Sequence, residues 1–545
     1  MTGLETHLPI LPVAIPLVAG ASMLLLRDTQ RPGRLAIAVI SLIAQLWTAL
    51  ALLGMVTGQT PTTWSDSVGV YLLGDWPAPF GIVAVIDRLT VIMLLLTAVL
   101  GPAAWLFAVA RWDRIGVHFH ALFQFQLMGL NGAFLTGDLF NLFVFFEVLL
   151  VASYGLMLHG SGRDRVTSGL HYIAVNLVAS FLLLIALAII YGLTGTLNMA
   201  DLAARAGTLS SADRQLFEAG MSVLGLAFLI KAAAWPLNFW LPGAYANASA
   251  PVAGIFAIMT KVGIYALVRI GALLLPTGAP AVFSGSWMFA IGMATLIFAS
   301  IGLLAATQVE RQAGYGIIMS SGLLLATLGV PDGVLTGPAL YYMVVSVLAL
   351  GAFFLLLEMV ARTQTFGADV LATSQEIFDL DDPEPPDHSD DVVGIAIPAA
   401  MAFLGMAFFA CALLIIGLPP LAGFVAKFAI LSTALKSMGS NASSTYAWVL
   451  MAGILGSGLC GLIALCRTGI RLFWSSEDAI VPRLRVIEAG PVALLIAVCI
   501  GLTVWAGPVM HYMEDTAEYL KRPRSYIGAV LNQHPRRADR SGQTP

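Results

Sequence analysis

Long apolar runs follow one another along almost the whole chain, separated by short polar stretches. Many of these runs reach the roughly 20 residues that a helix needs to cross a hydrocarbon core of about 30 Å. The strict alternation of apolar and polar residues that marks a membrane β-barrel is absent from the sequence. We therefore predict an all-α integral membrane protein with about fourteen transmembrane spans: 8–26, 35–57, 82–109, 118–136, 139–158, 171–193, 217–242, 252–275, 286–306, 313–330, 338–361, 393–435, 446–473 and 489–511.

Composition supports a membrane protein and narrows the possible chemistry. Of the 545 residues, 59% are hydrophobic and 11% are charged, whereas soluble domains carry roughly 25% charged residues. The net charge of −4 does not indicate a nucleic-acid partner, and lipids are the expected surroundings. The four cysteines show no metal-ligand spacing, and the sequence has no phosphate-binding loop or haem motif. We expect no cofactor and no metal, so an ion gradient or partner subunits must supply the driving force.

The basic residues between spans predict the orientation of the chain. Most of them, such as Arg111, Arg163 and Arg311, fall in loops that are cytoplasmic if the N-terminus lies outside. Arg269 is assigned to a loop on the opposite side, and Asp87-Arg88 is interpreted as a neutral pair of neighbours. The first run begins after acidic Glu5 and lacks a basic segment, so it is interpreted as a span and not as a signal peptide.

Prolines interrupt two of the predicted spans. Pro236 and Pro242 fall in span seven, and Pro419 with Pro420 falls in span twelve. Proline removes a backbone hydrogen bond within a helix, so both spans are predicted to be discontinuous. The two spans lie five apart, which indicates two inverted five-helix repeats of the kind found in transporters, spans 4–8 and 9–13. Simple proline kinks are the alternative.

Four ionisable residues lie inside apolar runs, far from any loop: Glu147 in span five, Lys231 in span seven, Lys261 in span eight and Lys427 in span twelve. A charged side chain at the bilayer centre costs about 2.5–3.5 kcal/mol unless it is paired or faces water. Snorkelling lysines or a structural acid–lysine pair explain one such residue. Four such residues together favour a proton pathway, because buried amines can exchange protons and the charge of each site biases the protonation of the next.

Five further residues are weaker candidates for proton uptake or relay. Asp138 lies between spans four and five, where helix capping and pathway uptake are equally compatible with its position. Glu358 precedes Arg362 by four residues, the spacing of a helical ion pair. His171 opens span six and is expected to make a local hydrogen bond, whereas His118 and His120 are expected in a loop. Hydroxyl groups of Tyr315 and Ser346 lie in spans ten and eleven.

The same residues carry a resemblance to a known family. The blocks 129–158, 231–269 and 417–431 resemble the antiporter-like proton-translocating subunits of respiratory complex I, membrane hydrogenases and multi-subunit Mrp cation/proton antiporters. The run YGLTGTLNMADLA (191–203) is most similar to the D-type subunits of the Mrp Na⁺/H⁺ antiporters. The resemblance implies a multi-pass protein of the bacterial plasma membrane that works with other membrane subunits and transports H⁺ with Na⁺ or K⁺. It also implies a proton path along Glu147, Lys231, Lys261 and Lys427.

The sequence departs from the family pattern in places. Asn238 and Gly243 stand where the family often has histidine and aspartate, and the central histidines near spans ten and eleven are missing. The link from Lys261 to Lys427 is therefore expected to use water and hydroxyl groups. A redox-driven proton pump and a structural scaffold remain the competing hypotheses.

The predicted organisation has five parts. Residues 1–117 hold spans one to three, 118–275 the first repeat, 286–473 the second repeat, 489–511 the last span and 512–545 a polar tail, interfacial or extended. Segment 374–391 is acidic and proline-rich, which predicts a solvated loop.

Overall fold

The computed structural model describes residues 7–533, apart from 28, 61–63, 65–66, 117, 276–282, 284, 331–335, 378–398, 437–440 and 474–483. The described chain is built almost wholly of helices. It also contains one small antiparallel hairpin of β1 (Gly69–Leu72) and β2 (Val83–Ile86). The helices are α1 (Leu11–Leu25), α2 (Arg31–Val56), α3 (Arg88–Val109), α4 (Phe119–Leu135), α5 (Leu139–Met157), α6 (Arg163–Thr194), α7 (Met199–Ala206), α8 (Ser211–Lys231), α9 (Trp240–Asn247), α10 (Ala250–Phe256), α11 (Met259–Leu274), α12 (Ser286–Ala305), α13 (Val309–Leu328), α14 (Gly337–Ile377), α15 (Ala399–Ile416), α16 (Ala422–Lys436), α17 (Asn441–Phe473), α18 (Val486–Val504), α19 (Ala506–Leu520) and α20 (Arg524–Leu531).

The described part of each predicted span falls on one helix or on two helices separated by a short break, except that the predicted third span begins too early, since Val83–Ile86 form β2 and the helix starts at Arg88. Among the described residues, eleven helices are long and apolar enough to cross a membrane, with α10 and α11 counted together. The short α4, the broken α8–α9 pair and α13 are not among the eleven. The all-helical membrane fold is confirmed, and the figure of fourteen crossings stays a prediction.

Polar residues begin several of these helices by capping their free backbone N–H groups. The carboxylate of Asp87 accepts a hydrogen bond from the Thr90 N–H at the start of α3, and Asn198 accepts from the Asp201 N–H at the start of α7. Ser210 does the same for α8 through the Asp213 N–H. Such caps stabilise a helix by about 1 kcal/mol each, so they place the helix starts where the sequence changes from polar to apolar.

The ends of the helix bundle differ in character. At one end, here called the hairpin end, Ala84 of β2 pairs with Thr136 and Asp138 pairs with Asn198. At the opposite end, here called the arginine end, Arg31 binds Asp113 at 2.8 Å.

A ladder of amides and a hydroxyl crosses the N-terminal helices between these ends. Ser41 of α2 donates to Gln124 of α4 at 2.8 Å, and Gln45 donates to Ser41 at 3.0 Å. Asn131 of α4 donates to Gln45 at 3.2 Å and to the Pro12 carbonyl of α1 at 2.8 Å. Lipid offers no competing hydrogen-bond partners, so these contacts hold α1, α2 and α4 together.

The C-terminal segment is helical as far as Leu531 and not extended, which corrects one of the two alternatives predicted for the tail; its position at the membrane interface stays a prediction. Helices α19 and α20 pack at the hairpin end, where Asp515 binds Arg88 at 3.0 Å. The Tyr526 ring of α20 lies 5.2 Å from the guanidinium of Arg269 and is buried. Residues 534–545 lie outside the described residues. So do 378–391 of the predicted acidic loop, whereas 374–377 are helical and not loop.

Candidate functional site

The first predicted helix break lies where expected, immediately after Lys231. Helix α8 ends there, Ala233 adopts a left-handed φ of 55°, and the Ala234 N–H closes the turn on the Leu229 carbonyl at 3.0 Å. Pro236 has no N–H to donate, so the chain cannot continue as a helix and resumes only at Trp240. The freed N–H of Trp235 donates to the Thr295 hydroxyl at 2.9 Å.

The ammonium of Lys231 lies beside helix α5. Its nitrogen is 4.9 Å from the centre of the Phe146 ring, and Glu147, the next residue on α5, is its electrostatic partner. The structure gives no ion pair within 4.0 Å between Glu147 and Lys231, both of which are described. The Glu147 Oε1 atom is buried without a hydrogen-bond partner among the described residues. The two groups therefore attract each other while each keeps polar atoms free for water.

A small cavity adjoins Lys231 and reaches the next helix of the lysine series. It has a volume of about 30 Å³; most of its lining is apolar, including Met259 and Val262, which flank Lys261, while Lys231, Asn176 and Tyr172 contribute polar atoms. A polar cavity needs only about 10–15 Å³ to hold a water molecule. The cavity thus offers room for water between α8 and the turn of α11 that carries Lys261.

Gly263 allows α11 to approach the end of α8 closely. A Cβ atom at this position would lie 2.7 Å from the Phe228 carbonyl oxygen and 2.8 Å from the Ala232 nitrogen. Real side-chain carbons do not approach backbone atoms so closely. Glycine two residues after Lys261 therefore keeps the second lysine beside the first helix break.

Lys261 is fully buried and surrounded by hydroxyl groups. Its exposed fraction is 0%, and its nitrogen donates to Thr260 Oγ1 at 3.3 Å and Ser321 Oγ at 3.4 Å. Within the described part of the chain, no carboxylate forms an ion pair with it. Ser320, beside Ser321 on α13, donates to Ser346 on α14 at 2.9 Å. Ser321 therefore binds Lys261 and the adjacent Ser320 binds α14, while a hydroxyl link from Lys261 to Lys427 stays a prediction.

The second break lies after Gly417 and mirrors the first. Gly417 has a left-handed φ of 81°, and the N–H groups of Gly417 and Leu418 both bind the Leu413 carbonyl, at 2.9 and 3.0 Å. A proline follows the left-handed residue by three positions in both breaks, Pro236 after Ala233 and Pro420 after Gly417. The prediction of discontinuous spans seven and twelve is confirmed.

Lys427 points back into this second break. It is 4% exposed, and its nitrogen donates to the carbonyls of Ile415 and Ile416 at 3.2 and 2.7 Å. A Cβ atom on Gly417 would lie 2.6 Å from the Lys427 Cδ atom. Gly417 therefore allows the left-handed backbone turn, and its lack of a Cβ atom leaves room for the Lys427 side chain.

Three of the weaker candidates, Asp138, His171 and Tyr315, make their contacts away from the buried lysines. Asp138 caps α5 at the hairpin end by accepting from the Asn141 N–H at 2.9 Å. His171 is exposed and bonds the Thr167 carbonyl of its own helix at 2.8 Å. Tyr315 packs its ring against Phe298 of α12, not against the Ser320–Ser346 hydroxyls.

Glu358 belongs to an ionic cluster at the arginine end. It pairs with Arg362, as its spacing predicts, and accepts from Trp112 Nε1 at 2.8 Å. Arg362 also binds Glu488 at 2.6 Å. The cluster joins α14 and α18 to the turn that follows α3.

Sequence reasoning missed two buried ionic groups. Arg269, assigned to a loop, is buried in α11 and binds Asp87 through two hydrogen bonds, one of 2.7 Å. The prediction of a local Asp87-Arg88 pair is therefore wrong. A signal was present, because Arg269 follows Lys261 by eight residues within one apolar run.

The second missed group lies at the arginine end. His120, expected in a loop, is buried in α4, with its Nε2 3.4 Å from Asp113. Burial alone raises the pKa of the Asp113 carboxyl, but the nearby His120 and the hydrogen bond from Arg31 together lower that pKa below its ordinary value. The carboxylate therefore stays charged and binds the starts of α2 and α4 to the short turn Trp112–Arg114.

Comparison with known proteins identifies the family. Residues 136–453 match the family described as NADH:quinone oxidoreductase/Mrp antiporter, transmembrane. The chain is 49% identical over 98% of its length to a protein of Rhizobium meliloti named as the D subunit of a probable K⁺/H⁺ antiporter, 99% of which is covered. It is 32% identical over 96% of its length to the D subunit of a Na⁺/H⁺ antiporter of Bacillus subtilis, again with 99% of that protein covered.

A solved structure supports the same assignment. A chain of the Mrp complex from a Dietzia species superposes with a TM-score of 0.77 at 26% sequence identity, covering 97% of this chain and 100% of that one. The matched region of the family contains the Glu147, Lys231, Lys261 and Lys427 series and both helix breaks. The chain therefore belongs to the NADH:quinone oxidoreductase/Mrp antiporter transmembrane family, within which it resembles the D-type subunits of the Mrp antiporters.

Proposed function

We propose that this chain is the proton-translocating subunit of a multi-subunit antiporter that exchanges Na⁺ or K⁺ for H⁺ across the bacterial plasma membrane. One observation carries the proposal above all others. Lys231, Lys261 and Lys427 are held inside apolar helices: Lys231 is the last residue before the first break, and Lys427 binds the last carbonyls before the second. The antiporter relatives supply the exchange reaction and the two candidate cations.

The proposed proton path follows the buried groups in order. Protons are taken up near Asp138 or α8, exchange between Glu147 and Lys231, pass Lys261 and reach Lys427. The water-sized cavity beside Lys231 supports proton transfer from Lys231 to Lys261. The Ser321 hydroxyl at Lys261 and the Ser320–Ser346 hydrogen bond support transfer from Lys261 toward Lys427. Hydroxyl groups and water both accept and donate hydrogen bonds, so a proton can move along them without a carboxylate or histidine at each step.

The domain organisation and orientation are part of the proposal. The matched breaks support a first repeat over 118–275 and a second over 286–473. The arginines gathered at the end that holds Arg31, Arg165 and Arg362 support a cytoplasmic location for that end and an N-terminus outside. Reporter fusions test this directly: alkaline phosphatase at the N-terminus should be active, and a fluorescent protein fused there should be dark. The reverse result would reject the orientation.

An exchange assay in inverted membrane vesicles tests the function. Vesicles carrying the assembled complex are acidified by respiration, and added NaCl or KCl should collapse the pH gradient reported by a fluorescent dye. Lys231→Ala and Glu147→Ala are expected to abolish this response. Lys436→Ala, an exposed lysine on the same helix as Lys427, is the matched control and should leave it unchanged.

The assay also tests the scaffold hypothesis. If Lys231→Ala and Glu147→Ala complexes assemble normally and exchange at the wild-type rate, the buried charges hold subunits together and do not carry protons. Assembly is followed by co-purification of the partner subunits. Loss of exchange with normal co-purification supports the proton pathway.

A redox-driven proton pump is the second candidate, because the family that matches includes NADH:quinone oxidoreductase subunits. The two candidates differ in their partners. Purification of the native complex through a tag on this chain should recover only membrane subunits if the antiporter proposal is right. Co-purification of iron–sulfur subunits with NADH or hydrogen oxidation would favour the redox pump.

A further inference from the structure

A cavity at the arginine end is lined by basic side chains from three separate parts of the chain. Its volume is about 510 Å³, within the range of roughly 300–1,000 Å³ typical of ligand pockets. Arg111 and Arg114 reach it from the turn after α3, Arg362 from α14, and Arg485 from the start of α18. The convergence of these segments makes the cavity a property of the tertiary fold and not of one loop.

Most of the positive charge in this cavity has no carboxylate partner. Arg362 is paired with Glu358 and with Glu488, which is the one carboxylate among the described residues that line the cavity. The guanidinium groups of Arg111, Arg114 and Arg485, however, form no ion pair with any described residue; Arg485 reaches only the Ala110 carbonyl, at 3.5 Å. Three guanidinium groups therefore face the cavity with donors available for an anion.

The cavity lies just beyond the ends of three apolar helices. Arg111 follows Val109, the last residue of α3, by two positions, and Arg485 directly precedes Val486, the first residue of α18. Arg362 is the last residue of the apolar part of α14. Because these helices are candidate spans, the cavity lies at the level of the lipid headgroups.

Apolar side chains beside the cavity are exposed at the same level. Ile115, which lines it, is 47% exposed, and Val486 is 86% exposed. Such side chains can pack against lipid acyl chains, whereas they make no favourable contact with a free inorganic ion. The neighbourhood of the cavity thus combines anion-binding donors with apolar surface.

We propose that this cavity binds the phosphate group of an anionic phospholipid. Guanidinium groups match phosphate oxygens with paired N–H donors, and basic pockets at the ends of spans bind lipid headgroups. Inorganic phosphate offers the same chemistry. The location of the cavity and its exposed apolar neighbours favour the lipid.

The test measures lipid retained by the purified complex. Complexes are reconstituted in nanodiscs of mixed neutral and anionic phospholipid, re-purified in detergent, and their bound lipid is quantified by mass spectrometry. Each basic residue near an anionic surface contributes about fivefold in affinity, so the Arg111→Gln/Arg114→Gln variant is expected to lose about twenty-fivefold. Arg311→Gln removes an exposed arginine outside the cavity and is the matched control.

Arg111 and Arg114 are exposed and lack side-chain partners among the described residues, so the double variant is expected to fold and assemble normally. Equal retention of anionic lipid by wild type and the double variant would overturn the proposal, and so would an equal loss in Arg311→Gln. Binding of inorganic phosphate that depends on Arg111 and Arg114, with no anionic lipid retained by the wild type, would assign the cavity to the free ion instead. Since the readout is bound lipid, the result is independent of the transport assay.

Discussion

The ammonium nitrogen of Lys427 lies 2.7 Å from the carbonyl oxygen of Ile416, the last residue of helix α15. The last carbonyls of a helix have no partner within it and carry the negative end of the helix dipole. The helix break therefore provides the counter-charge that a buried lysine requires. Lys231 differs, because it is itself the last residue of α8 and its nitrogen lies 4.9 Å from the centre of the Phe146 ring.

Gly417 is predicted to be essential for the position of Lys427. Gly417→Ala would introduce a Cβ atom 2.6 Å from Lys427 Cδ at a left-handed φ of 81°. We expect a loss of about 1–2 kcal/mol in stability from the backbone strain, together with strongly reduced exchange. Gly405→Ala, on the preceding helix α15, has open space around it and is the control. Exchange at the wild-type rate in Gly417→Ala would show that the lysine tolerates displacement.

The hydroxyl pair between α13 and α14 is predicted to serve proton transfer beyond Lys261. Ser346→Ala removes the acceptor of the 2.9 Å bond from Ser320 and should slow exchange while costing about 1 kcal/mol in stability. Ser300→Ala is the control, because this buried hydroxyl donates to a carbonyl of its own helix. The vesicle assay and thermal unfolding of the purified complex measure the two effects. An equal reduction of exchange in both variants would mean that the hydroxyl pair is only structural.

The Asp87–Arg269 pair is predicted to be important for stability. Asp87→Asn would leave the buried Arg269 charge without its carboxylate, which typically costs about 3–5 kcal/mol. Arg88→Ala removes the partly exposed Arg88–Asp515 pair and should cost at most about 1 kcal/mol. Thermal unfolding of the two variants should therefore differ clearly. Similar melting temperatures for Asp87→Asn and Arg88→Ala would contradict the importance of the buried Asp87–Arg269 pair for stability.

His159 is predicted to make the arginine end sensitive to acid. Burial, with the nearby Arg165 and His120, lowers the pKa of His159 below its ordinary 6.5, although the Trp112 carbonyl and Asp113 act in the opposite direction. The folded chain therefore binds fewer protons here than the unfolded chain. The stabilising contribution is fully present above pH 6.5 and is lost as the pH falls through the folded pKa.

The corresponding experiment compares melting temperatures at about pH 8 and about pH 5.5. Wild type is expected to lose more stability on acidification than His159→Gln, which cannot be protonated. His171→Gln removes an exposed histidine on the neighbouring helix and should behave as wild type. A pH dependence unchanged in His159→Gln would show that another group titrates.

Local chemistry made much of the fold and of the lysine series visible in the sequence. An apolar run long enough to cross a bilayer, a proline that removes an N–H and a charge far from any loop all act within a few residues. For this reason Lys231, Lys427 and their helix breaks could be predicted from the sequence alone. The roles of Glu147 and of the three lysines in transport remain predictions for the exchange assay.

Contacts between distant residues could not be predicted in this way. Arg269 binds Asp87 across 182 positions, and sequence reasoning gave Asp87 to its neighbour Arg88 instead. Local spacing shows which charges exist but not which helices pack together, since packing depends on side-chain shape across the whole bundle.

The sequence by itself thus determined the class of the protein, its two helix breaks and its series of lysines inside apolar helices, because lipid penalises every exposed backbone or ionic group where it occurs. Only the tertiary structure decided what each charge meets. It turned Arg269 into a buried ion pair, placed Lys427 on the carbonyls of a broken helix, and left the arginines of three segments around one open cavity.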